Sequence, residues 1–522
     1  MSIISAASIH SLVDAFPVSK CGTTTQNDTP SLVIKSKLPL CKKLKGVAKN
    51  ITVEPILLIS MLAHVVSALT VQNLILEKSC RVHLVLSNAT CNTLTYKNKS
   101  DLDSYLDYEK KVQVVATSMF IWRDAIMSLI PSVLLLFIGS WSDRYKKRKH
   151  IILNVILGDI FTTLCWLIST FYFCELPLEV TILGEVLPAV VTGGQPVAAM
   201  AFFSYISAVS TENSRTARMG LAHAGVTVVI GIGNLVSGIL FHQVRFYGVF
   251  AISFVLYTTV YFYGLFFIKD IWEYKRDNGE VLEKPSKDFL NDFFDIKHVY
   301  QTLQVGFKKR EDRRRRRIFL TLLLTLLTLG PLRGEANLIY YFSKLKFGWS
   351  PVDFSMFITF QFAVYVSGSL FGLVILHKCF KVDDCILGMV CCISKIMANC
   401  MYALGTSCFY MMIGCTLDVF GVLFAPVLRS IGSKLVSTDE LGKFHSLFSI
   451  VETLSPLIFS PIYSKVYAVT INENPGSYFL VSIVTLIPTF LIFILLYCQS
   501  QNRTKKPEHQ QQDQSLIRTS ET

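Results

Sequence analysis

Ionisable side chains stand inside long apolar stretches at His64, Arg123, Asp124, Asp159, Glu185, Arg333, Glu335, Lys395, Asp418 and Glu452. Such a group at bilayer depth costs at least about 2.5 to 3.5 kcal/mol on insertion scales, so each should face a partner or a water-filled cavity. They are spread singly over many segments, as a translocation path requires. No nucleophile and base pair and no metal-ligand spacing occurs in these stretches, so neither an enzyme nor a metal site is expected.

The most informative stretch is Gly330-Pro331-Leu-Arg333-Gly334-Glu335-Ala-Asn337. Proline removes a backbone donor and two glycines loosen the helix where opposite charges arise, which predicts a broken helix lining a site at the membrane midplane. Arg333 offers a planar fork for a carboxylate or phosphate, with Asn337 beside it. Glu335 is the first candidate for a titrating acid, because loss of water favours the neutral form of a carboxyl. Glu185 and Glu452 join it. Arg123 serves either an anionic substrate or an internal ion pair, and Asp124 points about 100° away round the helix and needs its own partner. Lys395 is expected to pair with Asp418 as a structural contact, and Asp159 to be structural as well. His64 is expected to be packed and hydrogen-bonded.

The elements that must hold these groups follow from composition. Of 522 residues 52% are hydrophobic and 17% charged, against about 25% charged in soluble proteins, and mean hydropathy is +0.47. That excludes most soluble enzymes and disordered chains. The net charge of +13 sits in joints between apolar stretches rather than on a polar domain, so no nucleic acid is expected. About 20 apolar residues cross a hydrocarbon core of about 30 Å, and twelve such windows occur, at 53–76, 113–139, 150–173, 179–207, 219–242, 247–268, 318–343, 352–376, 383–405, 406–430, 444–469 and 476–498. The expected organisation is a tail (1–49), a six-helix bundle (50–268), a charged central loop (269–317), a second six-helix bundle (318–498) and a tail (499–522). The loop contains a stretch with helical apolar spacing, Phe289, Phe293, Phe294, Ile296, Val299, Tyr300 and Leu303, read as an amphipathic helix lying on the cytosolic face of the membrane, with a flexible linker as the alternative.

Basic residues gather in the tails, after span 2 and in the central loop, which places both termini in the cytosol. The opposite side carries the loop from Glu77 to Lys111, with glycan acceptor sequons at Asn88 and Asn98. Cys80 and Cys91 in this loop and Cys174 at the end of span 3 allow one disulfide, and Cys80 with Cys91 is the favoured pairing. Residues 1–49 show no cleavable leader pattern. Gly231, Gly233 and Gly238 in span 5 permit close helix approach, and Gly193-Gly194-Gln195-Pro196 in span 4 either opens a cavity wall or merely kinks its helix.

Span 2 ends in Gly139-Ser-Trp-Ser-Asp143-Arg144-Tyr-Lys-Lys-Arg148, which resembles the loop signature of major facilitator transporters, with Lys146 where glycine is usual. The resemblance implies a conformational latch at Gly139, Asp143, Arg144 and Arg148. Four segments, that one included, resemble solute carrier family 46: Thr52-Val-Glu54-Pro55, Gly139-Ser-Trp-Ser-Asp143, Ser214-Arg215-Thr216-Ala-Arg218-Met219, and Pro426-Val-Leu-Arg429 with Ser433-Lys434-Leu-Val436. In that family's proton-coupled folate branch a coupling glutamate stands where this chain has His223, a side chain that titrates near physiological pH. Arg429 aligns with a functional arginine. The branch's span 7 histidine and span 4 aspartate are replaced, at Leu332 beside Arg333 and at Gly193-Gly194, which shifts the expected substrate away from folate.

The reading is an all-α membrane protein with twelve transmembrane helices in two pseudo-symmetric six-helix bundles, the major facilitator fold. The expected function is proton-coupled symport of a small organic anion, such as a muropeptide, a cyclic dinucleotide or a folate, by alternating access. Protons are taken by Glu335, Glu185, Glu452 or His223, and substrate by Arg123, Arg333, Asn337 and Arg429. The proton gradient is the driving force, no cofactor is needed, and the unit is a monomer in the plasma membrane or an endolysosomal membrane. The rival reading is a receptor or scaffold that keeps the fold without transporting.

Overall fold

Every regular element among the described residues is helical. The computed structural model describes residues 52–96, 102–145, 147–210, 212–270, 314–372, 382–436 and 441–520. Helix α1 (Glu54–Lys78) has Pro55 and Glu54 in its first turn and Lys78 in its last, the arrangement that the helix dipole and the unpaired first amides favour. It continues through a π turn, Ser79–His83. The short α2 (Asn88–Tyr96) follows, pinned by a Cys80–Cys91 disulfide with Cα atoms 6.0 Å apart. The first half is completed by α3 (Leu102–Tyr145), α4 (Arg148–Phe171), α5 (Leu178–Thr192), α6 (Gly194–Val209) and α7 (Glu212–Phe267).

The second half comprises α8 (Arg314–Phe347), α9 (Pro351–Leu370), α10 (Asp384–Leu404), α11 (Cys408–Leu417), α12 (Phe424–Ser433), α13 (Leu441–Thr470) and α14 (Tyr478–Ser520). A capping box of Ser350 and Asp353 opens α9 and the Asp383 side chain caps α10, so the first amides of both are satisfied without water.

Among the described residues ten helical stretches are long and apolar enough to cross a bilayer. One of them, Leu221–Phe267, is 47 residues long and turns back at Arg245, whose backbone is left-handed at φ 55°. Gly225 on one arm lies against Leu58 and Gly264 on the other against Ile56, so the arms are antiparallel and form spans 5 and 6. With α9 as span 8 the described residues make twelve crossings, in two pseudo-symmetric bundles of six.

Two spans are interrupted. Span 4 breaks between α5 and α6 at Gly193 and Gly194, with φ of 88° and 55°, angles that only glycine adopts freely. Span 10 tightens into a 3-10 stretch, Asp418–Leu423, between α11 and α12. Span 7, in contrast to the expectation from its sequence, is one continuous helix through Pro331. Its glycines have a different physical reason: a Cβ at Gly330 would overlap the ring of Phe459, and one at Gly334 the ring of Tyr463. They let span 11 lie close against span 7.

The apolar core is undivided near the disulfide and divided away from it. On the disulfide side one core joins both halves, with Leu74, Phe120 and Phe250 packed together with Tyr340, Tyr341 and Tyr467. Towards the opposite face each half has its own core. That of the second half centres on Leu324, Leu428 and Phe493; that of the first on Ile56, Ile156 and Phe202. The most extensive contacts between the halves join span 2 to span 11 and span 5 to span 8. Gly231 faces Phe362, and Gly238 faces Pro351 and Ser355, across the second of these seams. The central-loop helix, Asn98 and residues 1–49 lie outside the described residues.

Candidate functional site

Between the halves lies a cavity of about 270 Å³, walled by spans 1 and 5 on one side and by spans 7, 8, 9, 10 and 12 on the other. Its surface is mostly apolar, from Val65, Leu69, Ile230, Leu332, Ile358 and Phe362. The charged groups that line it, Arg333, Glu335 and Lys395, all belong to the second half. Among the described residues the guanidinium of Arg333 makes neither an ion pair nor a hydrogen bond, and the carboxylates whose fields reach it are Glu452 and Asp124. Arg333 is thus a half-buried guanidinium without a protein counter-ion among the described residues, beside apolar walls, a setting whose chemistry suits an anionic group carried on a hydrophobic body.

Glu335 belongs to a connected polar network. Lys395 Nζ lies 2.9 Å from Glu335 Oε2 and 3.0 Å from Asp418 Oδ2, so one ammonium serves two carboxylates. Asn399 donates to Glu335 Oε1 at 3.0 Å, the Ser482 hydroxyl donates to the same oxygen, and Tyr463 contacts Ser482 in turn. On the other side Tyr365 donates to Asp418 Oδ2 at 2.5 Å. Asp418 is fully buried and its Oδ1 has no partner among the described residues. The expected Lys395–Asp418 contact is present, but Lys395 also lines the cavity, so its place is at the site rather than behind it.

The other candidate residues fall outside the cavity wall. Arg123 donates to Glu185 Oε1 through Nη2 at 2.7 Å and Nε at 3.1 Å, an internal ion pair of the first half. Asp124 accepts from Asn337 at 2.6 Å and from Ser460 at 2.7 Å, both in the second half. Asn337 is thus turned to the seam rather than to substrate. Arg429 pairs with Glu452 at 3.1 Å and lies over the ring of Phe448. His223 is buried and stacked on Phe203, with ring centroids 3.9 Å apart.

Two further residues differ from expectation. His64 is exposed and within the fields of Arg123 and Arg333, so it faces the central opening instead of being packed. The Asp159 carboxyl has no ion pair among the described residues; its titratable neighbour is Tyr257.

The disulfide end of the cavity is sealed by hydrogen bonds between the halves. Tyr340 donates to Asn73 at 2.5 Å, Tyr341 to the Gln72 carbonyl at 3.3 Å, Gln113 to the Tyr341 carbonyl at 3.0 Å and Tyr467 to Gln113 at 2.6 Å. With the Asp124 contacts they form a polar ladder from the disulfide side to mid-depth.

The sequence segments singled out by resemblance also find partners. Arg218 meets Glu54 at 2.6 Å and Thr52 at 2.8 Å, which ties two of those segments together. Arg148 donates to the Ser204 carbonyl at 2.6 Å, and its amide to Asp270 at 3.2 Å. Lys434 meets Asp384 at 2.6 Å. Gly139, Asp143 and Arg144 are on the last turns of α3, and their side chains lie outside the described residues. Asn88 is exposed and accepts from Arg81 at 2.8 Å. Tyr365, Asn399, Ser482 and Gln113 escape a search for charges, because their sole signal is a neutral polar side chain within an apolar stretch.

Comparison with known proteins places this geometry. The family model described as Major Facilitator Superfamily matches residues 110–460. Among curated relatives, the chain is 26% identical over 434 residues to the probable peptidoglycan muropeptide transporter of Drosophila melanogaster, covering 81% of each chain. It is 24% identical over 464 residues to the lysosomal proton-coupled steroid conjugate and bile acid symporter of Gallus gallus, covering 87% of this chain and 95% of the relative. It is 25% identical over 361 residues to the proton-coupled folate transporter of Rattus norvegicus, covering 69% and 74%. All three relatives are members of solute carrier family 46. Among solved structures, the human organic anion transporter MFSD10 shares the fold with a TM-score of 0.54 at 13% identity, over 87% of this chain and 100% of that one.

Proposed function

This chain belongs to the major facilitator superfamily of membrane transporters, and from that premise we propose that it is a proton-coupled symporter of an amphipathic organic anion. The observation that carries the reading is Arg333, an unpaired guanidinium in a mostly apolar cavity, two residues from a carboxylate that shares one ammonium with a second carboxylate. Arg333 takes the anionic group of the substrate and the apolar walls take its body. Glu335 takes the proton. With both carboxylates ionised, the Glu335–Lys395–Asp418 group carries one excess negative charge in a site of low dielectric. One proton makes it neutral and removes the repulsion that an incoming anion meets.

The disulfide side is assigned to the cell exterior or an organelle lumen, and the basic side to the cytosol. Asn88 and Asn98 then stand where glycans are added. In this orientation the ladder from Tyr340 to Asp124 closes the exterior side, and the divided core corresponds to the cytosol-facing form of the cycle. Rocking of the halves about the cavity would exchange the two. The relatives' names span muropeptides, steroid conjugates, bile acids and folates, and an anionic group on a bulky body is common to them. The plasma membrane or an endolysosomal membrane suits a carrier driven by an inward proton gradient.

The test is uptake of labelled muropeptide, steroid sulfate, bile acid and reduced folate by cells carrying the protein at their surface, at external pH of about 5.5 and about 7.5, which bracket histidine titration. Acid-stimulated uptake of one of them, abolished by a protonophore and by Glu335→Gln, is expected. Uptake indifferent to the gradient in the wild type, or undiminished in a well-expressed Glu335→Gln variant, would refute the reading.

A further inference from the structure

Asp418 has features that a purely structural counter-ion does not need. It is fully buried at the first residue of the 3-10 stretch of span 10, a local tightening of the kind that accompanies functional sites. Ser394 fastens this stretch: its hydroxyl donates to the Leu417 carbonyl and accepts from the Phe420 amide at 3.4 Å. One carboxylate oxygen of Asp418 is doubly bonded, by Lys395 at 3.0 Å and Tyr365 at 2.5 Å, while the other has no partner among the described residues. Tyr365 lines the cavity. A continuous hydrogen-bonded route therefore runs from the cavity surface through the Tyr365 hydroxyl to a carboxylate that is itself closed off from the cavity.

We propose that Asp418 is a second proton-binding carboxylate of the transport cycle, loaded from the cavity through the hydroxyl of Tyr365 and sharing Lys395 with Glu335. The inference rests on the symport reading above and adds to it the residues that store and deliver the proton. In the loading step a hydronium ion in the cavity gives a proton to the Tyr365 oxygen while the phenol proton passes along its hydrogen bond to Asp418. Water is left in the cavity, the phenol is regenerated, Asp418 is neutral, and Lys395 forms a one-to-one ion pair with Glu335. The reverse step discharges it. Titratable and charged groups facing Asp418 are Lys395, Tyr402 and Cys391 from span 9, Tyr365 from span 8, Glu335 from span 7 and Cys415 on its own span. Lys395 is the sole cation among them, so its single positive charge is divided between two acids, and a proton on either one satisfies it.

Infrared difference spectra of the full-length protein in liposomes, recorded after a pH jump, read the carbonyl stretch of a protonated carboxyl without needing a substrate. The wild type is expected to show a band that Asp418→Asn and Glu335→Gln each diminish. Tyr365→Phe leaves the Asp418–Lys395 contact in place, so it is expected to keep the band but slow its appearance at least tenfold. In the uptake assay, Asp418→Asn should lose gradient-driven accumulation, and a single symmetric size-exclusion peak of the variant in detergent distinguishes that loss from misfolding. A band wholly removed by Glu335→Gln and untouched by Asp418→Asn would overturn the proposal, as would unaltered band kinetics in Tyr365→Phe. The symport reading fails separately, through absence of proton-driven uptake in the wild type.

Discussion

Asn337 of span 7 donates to Asp124 of span 2 across the seam between the halves, at 2.6 Å and near mid-depth. Hydrogen bonds to a charged group contribute about 1.5–3 kcal/mol, so this contact weights the form closed on the disulfide side. Asn337→Ala is expected to shift the balance towards the opposite opening by roughly tenfold or more. Labelling of a cysteine placed at Gln72 by a membrane-impermeant thiol reagent should rise correspondingly. Unchanged labelling would show that the apolar core alone sets the closure.

Arg123 and Glu185 form a largely buried pair. Removing one partner leaves an uncompensated charge and costs about 3–5 kcal/mol, whereas replacing both with apolar residues of similar volume is close to neutral. Glu185→Ala should therefore lower the thermal midpoint in detergent markedly. Arg123→Met with Glu185→Leu should recover most of it. If the double variant recovers stability but loses transport, the pair has a role in the cycle beyond holding span 2 to span 4.

At Arg333 the expected phenotype is in binding. Arg333→Gln should raise the KM of an anionic substrate by roughly ten- to a hundredfold, corresponding to about 1.5–3 kcal/mol for a charge-assisted hydrogen bond, with expression unaffected. Arg333→Lys keeps the charge but not the two-pronged donor geometry, so partial recovery is expected. An unaltered KM in both variants would remove Arg333 from the substrate site.

Gly334 is in contact with the ring of Tyr463. Gly334→Val adds volume where span 11 must approach and should destabilise the second half by about 1–3 kcal/mol. Tyr463→Ala in the same chain should relieve part of this, and a thermal midpoint unmoved by Gly334→Val would show that the two helices can separate freely.

The disulfide closes a loop with a sequence separation of 11. In the chain-entropy account such a loop contributes roughly 3 kcal/mol. Cys80→Ser with Cys91→Ser should lower thermal stability by that order and leave the cavity residues undisturbed, which substrate affinity would report.

The crossings were legible because a bilayer imposes a length and an apolarity on each helix, and both can be read along the chain. Arg333, Glu335 and Lys395 could be found because a charge in such a segment has no solvent. Their grouping could not: Lys395 is 60 residues from Glu335, and which carboxylate it meets depends on how span 9 packs against spans 7 and 10. The neutral members Tyr365, Asn399 and Ser482 resemble any polar residue that bonds its own helix. Gly330 and Gly334 misled for a related reason, since a glycine that loosens a helix and one that admits a neighbouring ring have the same signature until the neighbour is known. Glu185 and Glu452 stood out as acids and Arg123 and Arg429 as cations, but which acid each arginine holds is decided only in three dimensions.

The undivided core on the disulfide side gives the cycle a thermal character. Opening that side must wet the surfaces of Tyr340, Tyr341, Tyr467 and their neighbours, and the free energy of keeping such surface dry weakens on cooling. The equilibrium between the two openings is therefore governed by a heat-capacity difference as well as by protons and substrate. The temperature dependence of the two openings then reads the difference between the apolar surface wetted on this side and the surface that the two separate cores of the opposite face bury in exchange.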